Sequence, residues 1–146
     1  MYYQKINKNT FIIRIKRGEL VLGSLKKFCE KLKIINGFFY GLGALDQVKL
    51  GDYNVETKKY HEAEFSGQFE LTNITGNVMD SAEGILIHCH ATLTGHDMKA
   101  FGGHFSEGRV SGTAEIYFTK LASKIKKKYD KETGLKLMEL KKVLGR

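Results

Sequence analysis

Three of the chain's five histidines fall in one short stretch, Ile85-Leu86-Ile87-His88-Cys89-His90-Ala91-Thr92-Leu93 followed by Gly102-Gly103-His104. Side chains alternate between the two faces of a strand, so an extended segment from Ile85 to Leu93 sets His88 beside His90 and turns Cys89 the other way. The glycine pair ahead of His104 allows a close backbone approach that would fold the third imidazole over the first two. Neutral imidazole suits Zn, Fe, Ni and Cu, and three such ligands leave a position open for water or a substrate. The spacing therefore points to one divalent ion, zinc foremost, on His88, His90 and His104. The alternative is a polar seam in which the rings only hydrogen-bond or contact an anion.

Charged residues near this stretch could orient a ligand or serve as a base. Glu70 interrupts the otherwise apolar run Gly67-Gln68-Phe69-Glu70-Leu71, and a buried acid there would need a histidine or Arg109 as partner. Glu107 and Arg109 follow His104 closely enough to reach the same cluster. The competing reading for all three is solvation, on an outward strand position or in a turn. Ser24, Ser66, Ser81 and Ser106 have no nucleophile-elbow context, and Gly37 to Gly43 has neither a dinucleotide-binding glycine pattern nor a following P-loop lysine.

The net charge of +8 is concentrated at one end. Residues 1 to 119 carry 14 Lys/Arg against 13 Asp/Glu, whereas residues 120 to 146 carry 10 against 3. Lys124, Lys126, Lys127 and Lys128 form a cluster suited to a polyanion, nucleic acid foremost, with solvated lysines on a tail or edge strand as the alternative. The opening Met1-Tyr2-Tyr3-Gln4-Lys5-Ile6-Asn7 lacks a signal-peptide core, and no apolar run approaches bilayer-spanning length. A cytoplasmic protein without a membrane partner is expected. Cys29 and Cys89 have no redox or metal spacing and are expected to be core thiols.

The elements that must hold these groups are short. Thr10 to Lys16 is β-branched and ends at Arg17-Gly18-Glu19. From Leu20 to Lys33, Leu25, Phe28, Cys29 and Leu32 recur at helical spacing opposite Lys26, Lys27, Glu30 and Lys31. Strands are expected at Phe38 to Ala44, Gln47 to Tyr53, Lys58 to Phe65, Phe69 to Gly76, Ile85 to Leu93 and Val110 to Lys120. One early helix among many strands implies an α+β domain with a mostly antiparallel sheet or partial barrel. The basic segment 120 to 146 is expected to close as a hairpin through Asp130 to Gly134, or to carry a short helix from Leu135. A His-x-His strand in a β-rich chain also suggests a cupin, but Thr92, Leu93, Thr94 and Gly95 stand where that signature needs a glutamate.

An ordered set of motifs runs through the chain. Gly18-Glu19 precedes the helix, followed by Gly41-Leu42-Gly43-Ala44, Phe69-Glu70-Leu71 with Gly76, and His88-Cys89-His90; then come Gly102-Gly103-His104, Glu107-Gly108-Arg109-Val110 and Thr113-Ala114-Glu115-Ile116. Over residues 8 to 140 this set closely resembles the PPC family, the plants-and-prokaryotes conserved domain. The resemblance implies a single domain over residues 1 to 146, a central antiparallel sheet with one helix packed on it, and assembly as a homotrimer. It also implies that His88, His90 and His104 are metal ligands. Plant members add an AT-hook that reads DNA; this chain has none, and Gln68 stands where the plant Gly-Arg-Phe-Glu motif has arginine. Three functions are therefore expected: a non-sequence-specific DNA-binding or regulatory protein with a histidine metal site; a small metalloenzyme or small-molecule-binding protein; or a trimeric interaction scaffold. No catalytic activity is assigned.

Overall fold

The computed structural model describes residues 1–122 and 124–143. Two strands, β1 (Tyr2–Lys5) and β2 (Thr10–Lys16), lead into helix α1 (Val21–Lys31). Four long strands follow: β3 (Gly37–Asn54), β4 (Lys59–Ser81), β5 (Gly84–Thr94) and β6 (Ala100–Lys120). A small hairpin of β7 (Lys127–Tyr129) and β8 (Lys136–Met138) ends the described fold. The main sheet has the order β1-β2-β6-β3-β4-β5, and every named strand pairing is antiparallel. Because β5 also pairs with the first residues of β6, strands β3 to β6 close into a ring.

Alternation along these strands sends one set of side chains inward. Phe39, Ile74, Leu93, Phe105 and Phe118 are among the fully buried residues. Burial of a phenylalanine or leucine contributes roughly 1.5–3 kcal/mol, which makes this interior the main stabilising term. Helix α1 adds Val21, Leu25, Phe28 and Cys29 to the same core, with the Phe28 ring edge-on to Phe118 at 5.4 Å. The domain is thus one helix packed on a large antiparallel sheet. No described helix is long and apolar enough to cross a membrane.

Strand boundaries differ from the sequence expectation in a consistent way. The two strands expected on either side of Leu45 are one, β3, bulged at Gly41/Gly43 and at Leu45/Gln47. Lys58 to Phe65 and Phe69 to Gly76 likewise belong to the single strand β4. Gly102-Gly103-His104 lies within β6 and forms no turn. Here glycine marks tight strand packing: a Cβ at Gly103 would stand 2.8 Å from the Gly51 carbonyl oxygen.

Cys29 and Cys89 are buried and unpaired. Burial pushes both thiols up to about 12, which leaves them unreactive core groups.

Candidate metal centre

The period of two along β5 directs Cys89 into the core and His88 and His90 to the outer wall. On β6, Phe105 takes the inward position, so its neighbour His104 turns outward. His104 pairs directly with His90 across the β5–β6 ladder. The ring centroids lie 5.3 Å apart for His88 and His90, 5.3 Å for His88 and His104, and 5.6 Å for His90 and His104. One ring nitrogen from each histidine lies within 4.8 Å of those of the other two. Close approach of β4 supports the arrangement, since a Cβ at Gly76 would sit 2.6 Å from the His88 carbonyl oxygen and press on Cys89.

Electrostatics favour uncharged rings at His88 and His104. Burial, assisted by Lys127 and the other two histidines, lowers His88 to about 4. His104 is also lowered, mainly by burial and then by His90, with Glu62 pulling the other way. Neutral imidazole is the metal-binding form, so protons compete weakly for these two ligands. His104 Nδ1 is buried without a hydrogen-bond partner among the described residues. An unsatisfied buried nitrogen costs about 1–3 kcal/mol, and a metal ion is a partner that would remove that cost. The donor set and its orphan nitrogen thus fit a resident divalent ion.

The β7–β8 hairpin borders this wall, and between them lies a half-open cavity of about 500 Å3. Tyr60, Leu86 and Ile87 line it together with His88 and His104. The hairpin contributes Lys127, Leu135, Leu137 and Met138 to the opposite side. Contacts from the main sheet and its loops anchor the hairpin. The Asn36 side chain donates to the Ile125 carbonyl at 2.6 Å and accepts from its N–H at 2.9 Å; the Tyr53 hydroxyl donates to the Thr133 carbonyl at 2.9 Å; and Lys136 pairs with Glu83.

Of the residues singled out from sequence, the three histidines meet. The four lysines do not share one surface: Lys124, Lys126 and Lys128 are exposed, whereas Lys127 is 9% exposed and faces the histidine cavity. Glu70, Glu107 and Arg109 lie outside that cavity. Glu70 is solvent-exposed and borders another hollow, with Arg17 and Asp46. Glu107 accepts from the N–H groups of Leu22 at 2.8 Å and Gly23 at 3.1 Å, so it caps the start of α1, where Leu20 offers no side-chain cap. Arg109 donates to both Asp46 carboxylate oxygens, at 2.8 and 3.1 Å.

Two members of the site had no local sequence signal. The Tyr60 ring lies 4.9 Å from His104, brought there from another strand. Glu62 accepts from Ser106 at 2.9 Å and pairs with Lys49 at 2.8 Å, and its charge acts on His104.

Comparison with known proteins gives a consistent picture. A family model described as the Plants and Prokaryotes Conserved (PCC) domain matches residues 2–122. A protein of Bacteroides thetaiotaomicron, provisionally described as DNA-binding, superposes with a TM-score of 0.90 at 29% identity, over 94% of this chain and 96% of that one. A plant- and prokaryote-conserved (PPC) protein of Pyrococcus horikoshii gives 0.85 at 34% identity, covering 92% and 93%. A metal-containing protein of Archaeoglobus fulgidus shares the fold, with a TM-score of 0.85 at 24% identity over 96% and 99%. No curated protein matches the chain in sequence.

Proposed function

The chain belongs to the Plants and Prokaryotes Conserved domain family, and from that premise we propose that it is a divalent-metal-binding protein whose site opens onto a ligand cavity. The observation that carries this reading is the convergence of His88, His90 and His104, one of them with an orphan buried nitrogen. Zinc is the ion best matched to three neutral imidazoles. An ion held this way supplies Lewis-acid character at its remaining position. The chain's own residues hold the His88 and His104 rings neutral, set His104 opposite His90 in the β5–β6 ladder and place the hairpin beside His88 and His104. Glu70 and Glu107 lie outside the cavity, and Glu62, the carboxylate whose charge reaches His104, is engaged by Ser106 and Lys49, which favours binding over hydrolysis. Titration of chelator-stripped protein with zinc against a competing dye tests the reading: His104→Ala is expected to weaken zinc by 10-fold or more, and equal affinity would refute it.

Nucleic-acid binding is a second reading, favoured by the exposed Lys124, Lys126 and Lys128 and by the description of the Bacteroides relative. Contacts would be to phosphate and carry little sequence preference. We also read the protein as a homotrimer. Tyr40 and Tyr117 stack at 5.2 Å on the outer wall and are half exposed. In the ladder they continue, through Thr75, the row that holds His90 and His104, so an aromatic interface would adjoin the metal site. The two reduced, buried thiols accord with a cytoplasmic location.

A further inference from the structure

Lys127 is a member of a basic run, yet its surroundings are those of a binding group. The residue as a whole is 9% exposed, lines the cavity beside His88 and His104, and has no carboxylate partner among the described residues. Drawing an ammonium partly out of water without a counter-charge disfavours it, and an anion beside it offsets that cost. Lys136, the other cation on the cavity wall, is already neutralised by Glu83. One unmatched positive charge therefore faces a space otherwise walled mainly by Leu86, Ile87, Leu135 and Leu137. At about 500 Å3 the cavity falls in the range that holds small organic ligands.

We infer that this cavity binds a small monocarboxylate with an apolar body, its carboxylate against Lys127 on the histidine side and its hydrocarbon against the leucines and isoleucine. A single negative charge matches the one cavity ammonium left without a carboxylate among the described residues, and the apolar walls offer few donors for the further oxygens of a phosphate. Removing the hydrocarbon part from water supplies the rest of the affinity. The inference extends the metal-site reading, because an ion on the three histidines would place a second attraction for the same carboxylate at the cavity edge.

The test is calorimetric titration of the full chain with hexanoate and with hexan-1-ol, in zinc-loaded and chelator-stripped forms. Hexanoate is expected to bind one per chain, and hexan-1-ol at least about 10-fold more weakly. Lys127→Met should weaken hexanoate by a similar factor while zinc stoichiometry stays unchanged. Equal binding of acid and alcohol by the wild-type chain, or no hexanoate binding in either form, would overturn the inference without recourse to any variant. A wild-type chain that takes up zinc but ignores hexanoate refutes this inference alone. A chain that takes up no zinc, yet prefers hexanoate through Lys127, upholds it and refutes the metal-site reading.

Discussion

His104 lies directly opposite His90 in the β5–β6 ladder, with ring centroids 5.6 Å apart. Strand register, and not a local motif, therefore delivers the third ligand. A slip of one residue would turn the His104 ring into the core and bring Phe105 to the surface. The site is consequently only as well defined as the packing of the barrel wall beneath it.

Packing at Gly76 is the most direct probe of that dependence. A methyl group there would collide with Cys89, the His88 carbonyl and the Phe39 ring, the last two at 2.6 Å. Gly76→Ala is expected to cost about 1–3 kcal/mol in urea unfolding and to weaken zinc binding as β5 moves away. Wild-type stability and affinity in the variant would show that the wall is more yielding than its packing implies.

Glu107 provides the opposite control. Its carboxylate satisfies two N–H groups at the start of α1, so Glu107→Ala should lower stability by about 0.5–2 kcal/mol, the usual cost of losing a helix cap. Metal content should not change. A loss of metal with unaltered stability would move Glu107 from the helix to the histidine site.

Acid sensitivity should have one identifiable component at Asp46. The hydrogen-bonded Arg109 guanidinium holds this carboxyl below its ordinary value, so folding releases a proton that the unfolded chain would keep. The contribution is present above the ordinary carboxylate range and is lost as pH falls through the lowered folded value. Melting temperatures of wild type and Asp46→Asn, compared across the acid range, should converge as pH drops. A gap that stays constant would contradict the assignment.

The lysine run makes a prediction of its own. Replacing Lys124, Lys126 and Lys128 by glutamine should weaken binding to a mixed-sequence DNA duplex and flatten its salt dependence, by roughly 0.9 in the log–log slope for each phosphate no longer neutralised. Lys127→Gln should leave the slope nearly unchanged, since that side chain is buried at the cavity. Equal effects from all four positions would return Lys127 to the surface.

These contrasts also show what sequence could and could not reveal. The helical period of Leu25, Phe28 and Cys29 predicts the buried face of α1, and the period of two places His88 and His90 together with Cys89 behind them. The close backbone approach that Gly102-Gly103 allows is present in the fold, where a Cβ at Gly103 would meet the Gly51 carbonyl; that β3 is the strand approaching is a tertiary fact with no local trace. Glu107 finds its partners at Leu22 and Gly23, far back in the chain, so its proximity to His104 in sequence misleads. Within Lys126-Lys127-Lys128 the residue types are identical, and only the hairpin's seating on the barrel decides which ammonium faces inward.

A resident divalent ion on His88, His90 and His104 is tested most directly by metal mass spectrometry of untagged protein purified without chelators, wild type beside His88→Ala. About one zinc or similar ion per wild-type chain, absent from the variant, is the expected result. No metal in either protein, or equal metal in both, would contradict it.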